Sequence, residues 1–418
     1  MTDHDRHAAG RGLTRRAMGA AALAVGLPMP ALAQRAAEGA RRPAASHAAL
    51  SRGVNGLGDR LLTSLALTPR VAAYLLSPYN LHATLGMLAL GARGAGAEAF
   101  ARALGLPGMT PAQMAAAMGN GRDSVRGLNG AGSEVTLAYS NWTRPNRPFQ
   151  QEWQALARRA AAPRFDRIDF GSPNAVPTIN GWAREATRGM IPRVVEELGR
   201  DTELVLAGAI HFAGKWAQPF AKDRTAPAPF HRLDGSRVDV PMMTLDAPLP
   251  YGQRGSGHVV RLPYAGGRLA MWVATAQRVE DSAAFLATLA SAGPAQWIHD
   301  TALRTGLTNV RLPSMSFAAG GDMLAPLRAA GFGEALSADF RGILGRPVDP
   351  AQIAHQARIR VDEEGTVAAA ATAIVGTRSM PEMSVFAADR PFVFVLGPVD
   401  PWLPLFVGYV GDAAGVQS

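Results

Sequence analysis

Helix-period segments fill the first half of this chain and strand-like segments the second, and that order constrains its fold more than any other feature. Residues 49–67 read as a helix, and the apolar run Val71 to Leu76 reads as a strand ending at Ser77-Pro78. Pro78 falls in the first turn of a helix running to about Leu90, where proline costs no backbone hydrogen bond. Its apolar face is Leu81, Leu85 and Leu88, and Gly91 is placed to close it as a C-cap. Helical patterns follow at 97–105, 111–118, 149–162 and 174–188, with a strand near 134–142. After about residue 203, Leu204–Phe212, Arg237–Met243, Val259–Pro263, Leu269–Thr275, Thr308–Pro313, Phe392–Leu396 and Leu405–Val410 read as strands. Asp234-Gly235 and Gly266-Gly267 supply turn signals. Helices first and strands later predict an α+β fold, not an alternating parallel sheet. No repeat or linker divides the chain after residue 48, so residues 49–418 are expected to form one domain.

Composition narrows the chemistry. Cysteine is absent, which removes thiol nucleophiles, thiolate metal sites and disulfides together. Of the 42 basic residues only Lys215 and Lys222 are lysines, so the formal charge of +9 is carried by arginine. That bias is what a GC-rich genome encodes, and the arginines are scattered rather than striped. Residues 110–135 hold only Arg122 and Arg126, too few for a polyanion patch. Nucleic acid is not expected as a partner.

The first 33 residues read as an export signal. Thr14-Arg15-Arg16 precedes the apolar run Ala17 to Leu27, and Ala31-Leu32-Ala33 offers a small-residue cleavage site. The apolar run is too short to span a membrane. The arginine pair resembles a twin-arginine signal, with an ordinary secretory signal as the alternative. Removing four Arg and two Asp with it lowers the charge from +9 to +7. Residues 34–48, rich in Ala, Arg and Pro without periodicity, are expected to be a flexible lead-in. The mature protein is thus expected in the periplasm or outside the cell, free of the membrane.

A set of residues, in order, resembles the serpin family of serine protease inhibitors. Ser77-Pro78 through Met87, Leu90-Gly91-Ala92 and Gly94 look like its second-helix signature, and Ile179-Asn180, Trp182, Thr187, Gly189 and Ile191 like the helix crossing its main sheet. Denser matches run from Leu204 through Phe212, Gly214, Lys215, Trp216, Phe220, Thr225, Phe230 and Gly235 to Pro241-Met242-Met243. Leu262-Pro263-Tyr264, Ala338-Asp339-Phe340, Pro391-Phe392 and Gly408 continue the series, so it covers essentially all of 49–412. The resemblance implies three β-sheets with about nine helices and an exposed reactive-centre loop; the chain is separately expected to be bacterial and to act as a monomer. It implies no cofactor and no metal.

The segment Glu363-Glu364-Gly365-Thr366-Val367-Ala368-Ala369-Ala370-Ala371-Thr372 and its continuation to Ser379 is similar to the hinge of inhibitory serpins. On propensity alone the alanines would suit a helix. A segment that enters a packed sheet as a central strand needs small side chains on both faces and no proline, and Thr366 to Val375 meets both conditions. Gly365 supplies backbone freedom, and Glu363-Glu364 end the preceding strand. Arg378-Ser379 offers a long cation suited to a trypsin-like specificity pocket. Counting from Gly365 at the family's usual spacing places the cut one residue later, at Ser379-Met380.

His355 and Ser77 match the family's sheet-opening region, and Trp216 matches the aromatic at the head of the sheet. Two partners depart from the pattern: Asn80 stands for a serine and Gly208 for an asparagine. The reading is that Asn80 takes over the lost amide's role toward His355. The chain contains no Gly-x-Ser-x-Gly, His-Glu-x-x-His or phosphate-loop motif, so no catalytic residue is assigned. The expected function is suicide inhibition of a trypsin-like serine protease; the alternative is a non-inhibitory serpin acting as a carrier or chaperone-like protein.

Overall fold

The computed structural model describes residues 29–67, 71–350, 352–365 and 383–416, and for residues 29–46 the backbone alone. The chain divides into two compact units, Met1–Ala44 and Ala45–Ser418. Helix α1 is Met29–Leu65. The segment 34–48, expected as a flexible lead-in, therefore has helical backbone, in keeping with its alanine content. The signal-like residues 1–28 lie outside the described residues.

In the larger unit, β1 (Ala73–Leu76) leads into α2 (Pro78–Gly91), every residue of which is buried. Ser77 caps this helix, its Oγ accepting from the Asn80 N–H at 3.1 Å. Gly91 is its last helical residue rather than a left-handed cap; a Cβ there would collide with Ile343, so close packing explains the glycine. Helices α3 (Ala95–Ala103), α4 (Pro111–Arg126), α5 (Gln151–Ala160) and α6 (Ala175–Ala186) fall where periodicity placed them, α4 running two turns further. Two more helices, α7 (Ser282–Ala292) and α8 (Pro294–His299), come between strands of the second half.

Five strands form the first sheet: β2 (Ser133–Thr143), β3 (Arg164–Arg167), β4 (Leu204–Gly214), β10 (Met315–Asp322) and β11 (Gln352–Val361), in the order β10-β11-β4-β2-β3. The second, nine-stranded sheet is threaded by one long strand, β6 (Arg237–Arg254). The start of β6 pairs with β5 (Ala226–His231) and its middle with β9 (Arg304–Pro313), which carries β12 (Ser384–Ala387) on its other side. The end of β6 pairs with β7 (Gly257–Pro263), beyond which lie β8 (Leu269–Ala276), β13 (Phe392–Pro398), β14 (Phe406–Val410) and β1. The fold is thus α+β, and because the nine-stranded sheet divides at β6 into two layers that share this strand, three sheets are present in all.

Burial follows sheet position. β8, β13 and β14 are buried along their whole length, because they are central strands covered on both faces. The seam of interest is between β4 and β11, which pair in parallel from Val205–Gln352 to His211–Arg358. A parallel seam between strands distant in sequence is joined by no hairpin at either end.

Candidate functional site: the head and underside of the parallel seam

β11 ends at Val361, and the next four residues form a tight turn: the Asp362 N–H donates to the Gly365 carbonyl at 2.9 Å and the Gly365 N–H returns to the Asp362 carbonyl at 3.2 Å. Gly365 then makes an antiparallel bridge with Lys215, just beyond the end of β4. Its φ is 123°, and a Cβ would strike the Gly214 carbonyl and the Trp216 amide, so only glycine fits. The β4–β11 register stops at His211 and Arg358, three residues short of both strand ends. At Gly365 the backbone therefore runs antiparallel to the end of β4.

A group of side chains on the segment after β4 holds this turn. The Trp216 indole donates to the Asp362 carbonyl at 3.0 Å, and the Trp216 and Phe220 amides donate to the carbonyls of Glu364 and Glu363 at 3.1 and 2.8 Å. Trp216 is buried, stacked on Tyr264 with centroids 4.4 Å apart. Thr225 Oγ1 donates to Glu363 Oε1 at 2.8 Å, and Lys222 Nζ lies 2.5 Å from Glu364 Oε1. That bond and charge raise the Lys222 pKa, while burial raises that of Asp362. Lys222 is solvent-exposed and Glu364 only half-buried, so the pair orients the turn more than it stabilises it.

Seven residues below the turn's start, under the seam, lies a buried polar cluster. His355 on β11 stands opposite Gly208 on β4. The Ser77 N–H donates to His355 Nε2 at 3.2 Å, which fixes Nε2 as the acceptor. Nδ1 therefore carries the proton and donates to Asn80 Oδ1 at 3.1 Å, while Asn80 Nδ2 donates to the Ala209 carbonyl at 3.2 Å. Asn80 thus ties α2 to both seam strands, the contact read from the sequence. Gly208 explains how: a Cβ there would overlap Asn80 Oδ1 and sit 2.6 Å from Thr84 Oγ1. The two departures from the serpin pattern are one exchange, a larger side chain on the helix accommodated by a vacancy on the strand.

Burial pushes the His355 imidazole down to about 3. An unfolded-state histidine takes its proton near 6.5, so between those values the unfolded chain binds more protons and stability falls as pH drops. By pH 5 this residue alone costs about 2 kcal/mol, and above 6.5 it costs nothing. His82 and His258, pushed to about 4 by burial, add to the trend. In urea titrations at pH 7 and pH 5, His355→Gln is expected to lose about 2 kcal/mol less than the native protein over that interval. Equal losses would show that His355 is not a buried neutral group.

Of the sequence-predicted site residues, the structure brings Ser77, Asn80, Gly208 and His355 into one cluster and Trp216, Glu363, Glu364 and Gly365 into another. Thr366 to Thr372 and the bond Arg378-Ser379 lie outside the described residues. Sequence reasoning passed over Lys222 and Thr225 as partners of the hinge glutamates. The signal for Lys222 was its rarity: both lysines of an arginine-rich chain flank this turn. Among the described residues no group of three His, Cys, Asp or Glu is placed to hold a metal, and no helix is long and apolar enough to cross a membrane.

Fold and site together define an α+β protein in which a long connection joins the head of a parallel seam in one sheet to the edge strand β12 of another. The profile described as Serpin (serine protease inhibitor) matches residues 52–413, and the chain belongs to the serpin family, whose members are mostly protease inhibitors and not enzymes. The leukocyte elastase inhibitor of Bos taurus is 30% identical over 339 residues, covering 77% of this chain and 88% of that protein. Among solved structures, Serpin48 of the insect Tenebrio molitor, a highly specific serpin, superposes with a TM-score of 0.75 at 25% identity, covering 87% of this chain and 97% of its own. Arabidopsis AtSerpin1 in its native stressed conformation gives 0.77 at 22% identity, covering 88% and 99%.

Proposed function

We propose that this chain is an exported bacterial inhibitor of trypsin-like serine proteases that traps its target by inserting the cut loop between β4 and β11. The observation that carries the reading is the turn at 362–365, which starts a chain direction antiparallel to both seam strands at the point where their pairing ends. The residues that follow, Thr366 to Val375, are small and free of proline on both faces of a strand.

In the mechanism that family membership suggests, the protease's serine attacks the Arg378 carbonyl and forms an ester, releasing Ser379 as a new amino terminus. The arm behind Arg378 is then free to enter the seam, carrying the esterified protease with it and distorting its site before water completes hydrolysis. Alanine serves this step because a bulkier residue would have to open the sheet further to pass. The Arg15-Arg16 pair and the short apolar run after it support export by a twin-arginine route.

Incubation with trypsin is expected to give a covalent complex that survives denaturant, with Ser379 at the new amino terminus. Complete cleavage without complex would overturn the inhibitory reading, and a terminus at Met380 would move the bait bond to Ser379-Met380.

A further inference from the structure

We infer that Met383 and Val385, on and beside the strand that follows the bait bond, form an apolar docking site for the target protease, and so select proteases with an apolar surface on the leaving-group side of their cleft. This rests on the inhibitory reading above. The large hydrophobic side chains most exposed among the described residues are these two, Met383 at 47% and Val385 at 50%. They are not loose ends of the core. On β12 Val385 is exposed while the next residue, Phe386, is fully buried against His258, ring centroids 4.6 Å apart. Val385 is set opposite Asn309 by parallel pairing with β9, so the apolar side chain is displayed on a fixed backbone.

Among the described residues no strand pairs with the outer side of β12, and its composition differs from that of the opposite edge. β5, at the far side of the same layer, carries Pro227 and Pro229, the usual protection of a free edge. β12 has neither proline nor charge in its four residues. Exposed apolar side chains that lie two residues apart and share one patch mark a surface that meets a partner.

Chain length identifies the partner. Met383 is four residues from Ser379, at most about 14 Å of fully extended chain, and Val385 is at most about 21 Å away. A protein interface of ordinary size covers about 800 Å² per side, a disc of about 16 Å radius. A protease centred on the bait bond therefore covers Met383, and it covers Val385 when the intervening chain spans about three-quarters of its full extension or less. A polar protease surface would lose its water to two side chains that offer it no hydrogen bond, whereas an apolar surface gains from each.

The test takes a panel of serine proteases that cleave after arginine and uses the member that the native protein traps fastest. Met383→Ser with Val385→Ser is expected to lower the second-order rate of complex formation about tenfold, leaving the melting temperature and the cleavage of a peptide spanning only residues 374–382 unchanged. An unchanged rate overturns the inference, as does a fall in rate explained by loss of a dimer that the native protein forms through this edge. If the native protein forms no complex with any protease in the panel, the inhibitory reading fails first and takes this inference with it.

Discussion

Protein cut in the loop at Arg378 is expected to melt at least about 10 °C above the intact protein. The seam between β4 and β11 is closed by seven register pairs, from Val205–Gln352 to His211–Arg358. A ten-residue strand, Thr366 to Val375, placed between them would pair with both neighbours. It would exchange those seven for two ladders, a net gain of about ten backbone hydrogen bonds. At about 1 kcal/mol each the gain is about 10 kcal/mol. A folded unit of about 370 residues has an unfolding entropy of about 0.8 kcal/mol/K, so the midpoint rises by about 12 °C, and burial of Val367, Ile374 and Val375 adds to it. The intact protein cannot make the exchange while the arm's far end is anchored through Met383 into β12. Scanning calorimetry of intact and nicked samples decides the matter: coincident transitions would mean that the sheet does not accept the arm, and the inhibitory reading would fall.

Gly208→Asn, which restores the residue the serpin pattern has at this position, is expected to destabilise the protein by about 2–6 kcal/mol. Any Cβ at 208 meets Asn80 Oδ1 and Thr84 Oγ1, and overpacking of this kind costs about 1–3 kcal/mol. Moving Asn80 aside also deprives His355 Nδ1 of its acceptor, and a buried donor left unmatched costs about 1–3 kcal/mol more. Asn80→Ser alone empties the same position and loses the bond to Ala209. Together the two substitutions recreate the family's arrangement, so the double variant is expected to recover at least half of the loss. Urea denaturation of the four proteins gives the coupling energy, expected at about 2 kcal/mol or more. Additive losses would show that Asn80 and Gly208 are not one exchange.

How far the site was legible depends on the range of each interaction. Ser77, Asn80 and Thr84 lie on one turn-spaced stretch of α2, and a helix following Ser-Pro is visible in the residues themselves. The hinge, too, is local: Gly365 at φ 123° and the small residues after it are a property of consecutive positions. The partners of Glu363 and Glu364 were not legible, because Thr225 and Lys222 stand 138 and 142 residues away and meet them only through the sheet. The helical backbone at 34–48 left no periodic signal for a different reason: alanine needs no amphipathic pattern to be helical.

By itself the sequence determined that the chain is α+β, that it holds no thiol chemistry, and that a proline-free run of small residues precedes an arginine; these follow from composition and from neighbours in the chain. Tertiary structure alone decided that β4 and β11 are adjacent, that their seam is parallel and closes short of its head, and that Gly208 makes room for Asn80 beside His355. The physical reason is that propensity and hydrogen-bonding pattern act over a few residues, whereas which strands pair, and which side chains then collide, depends on burying surfaces contributed by segments more than a hundred residues apart.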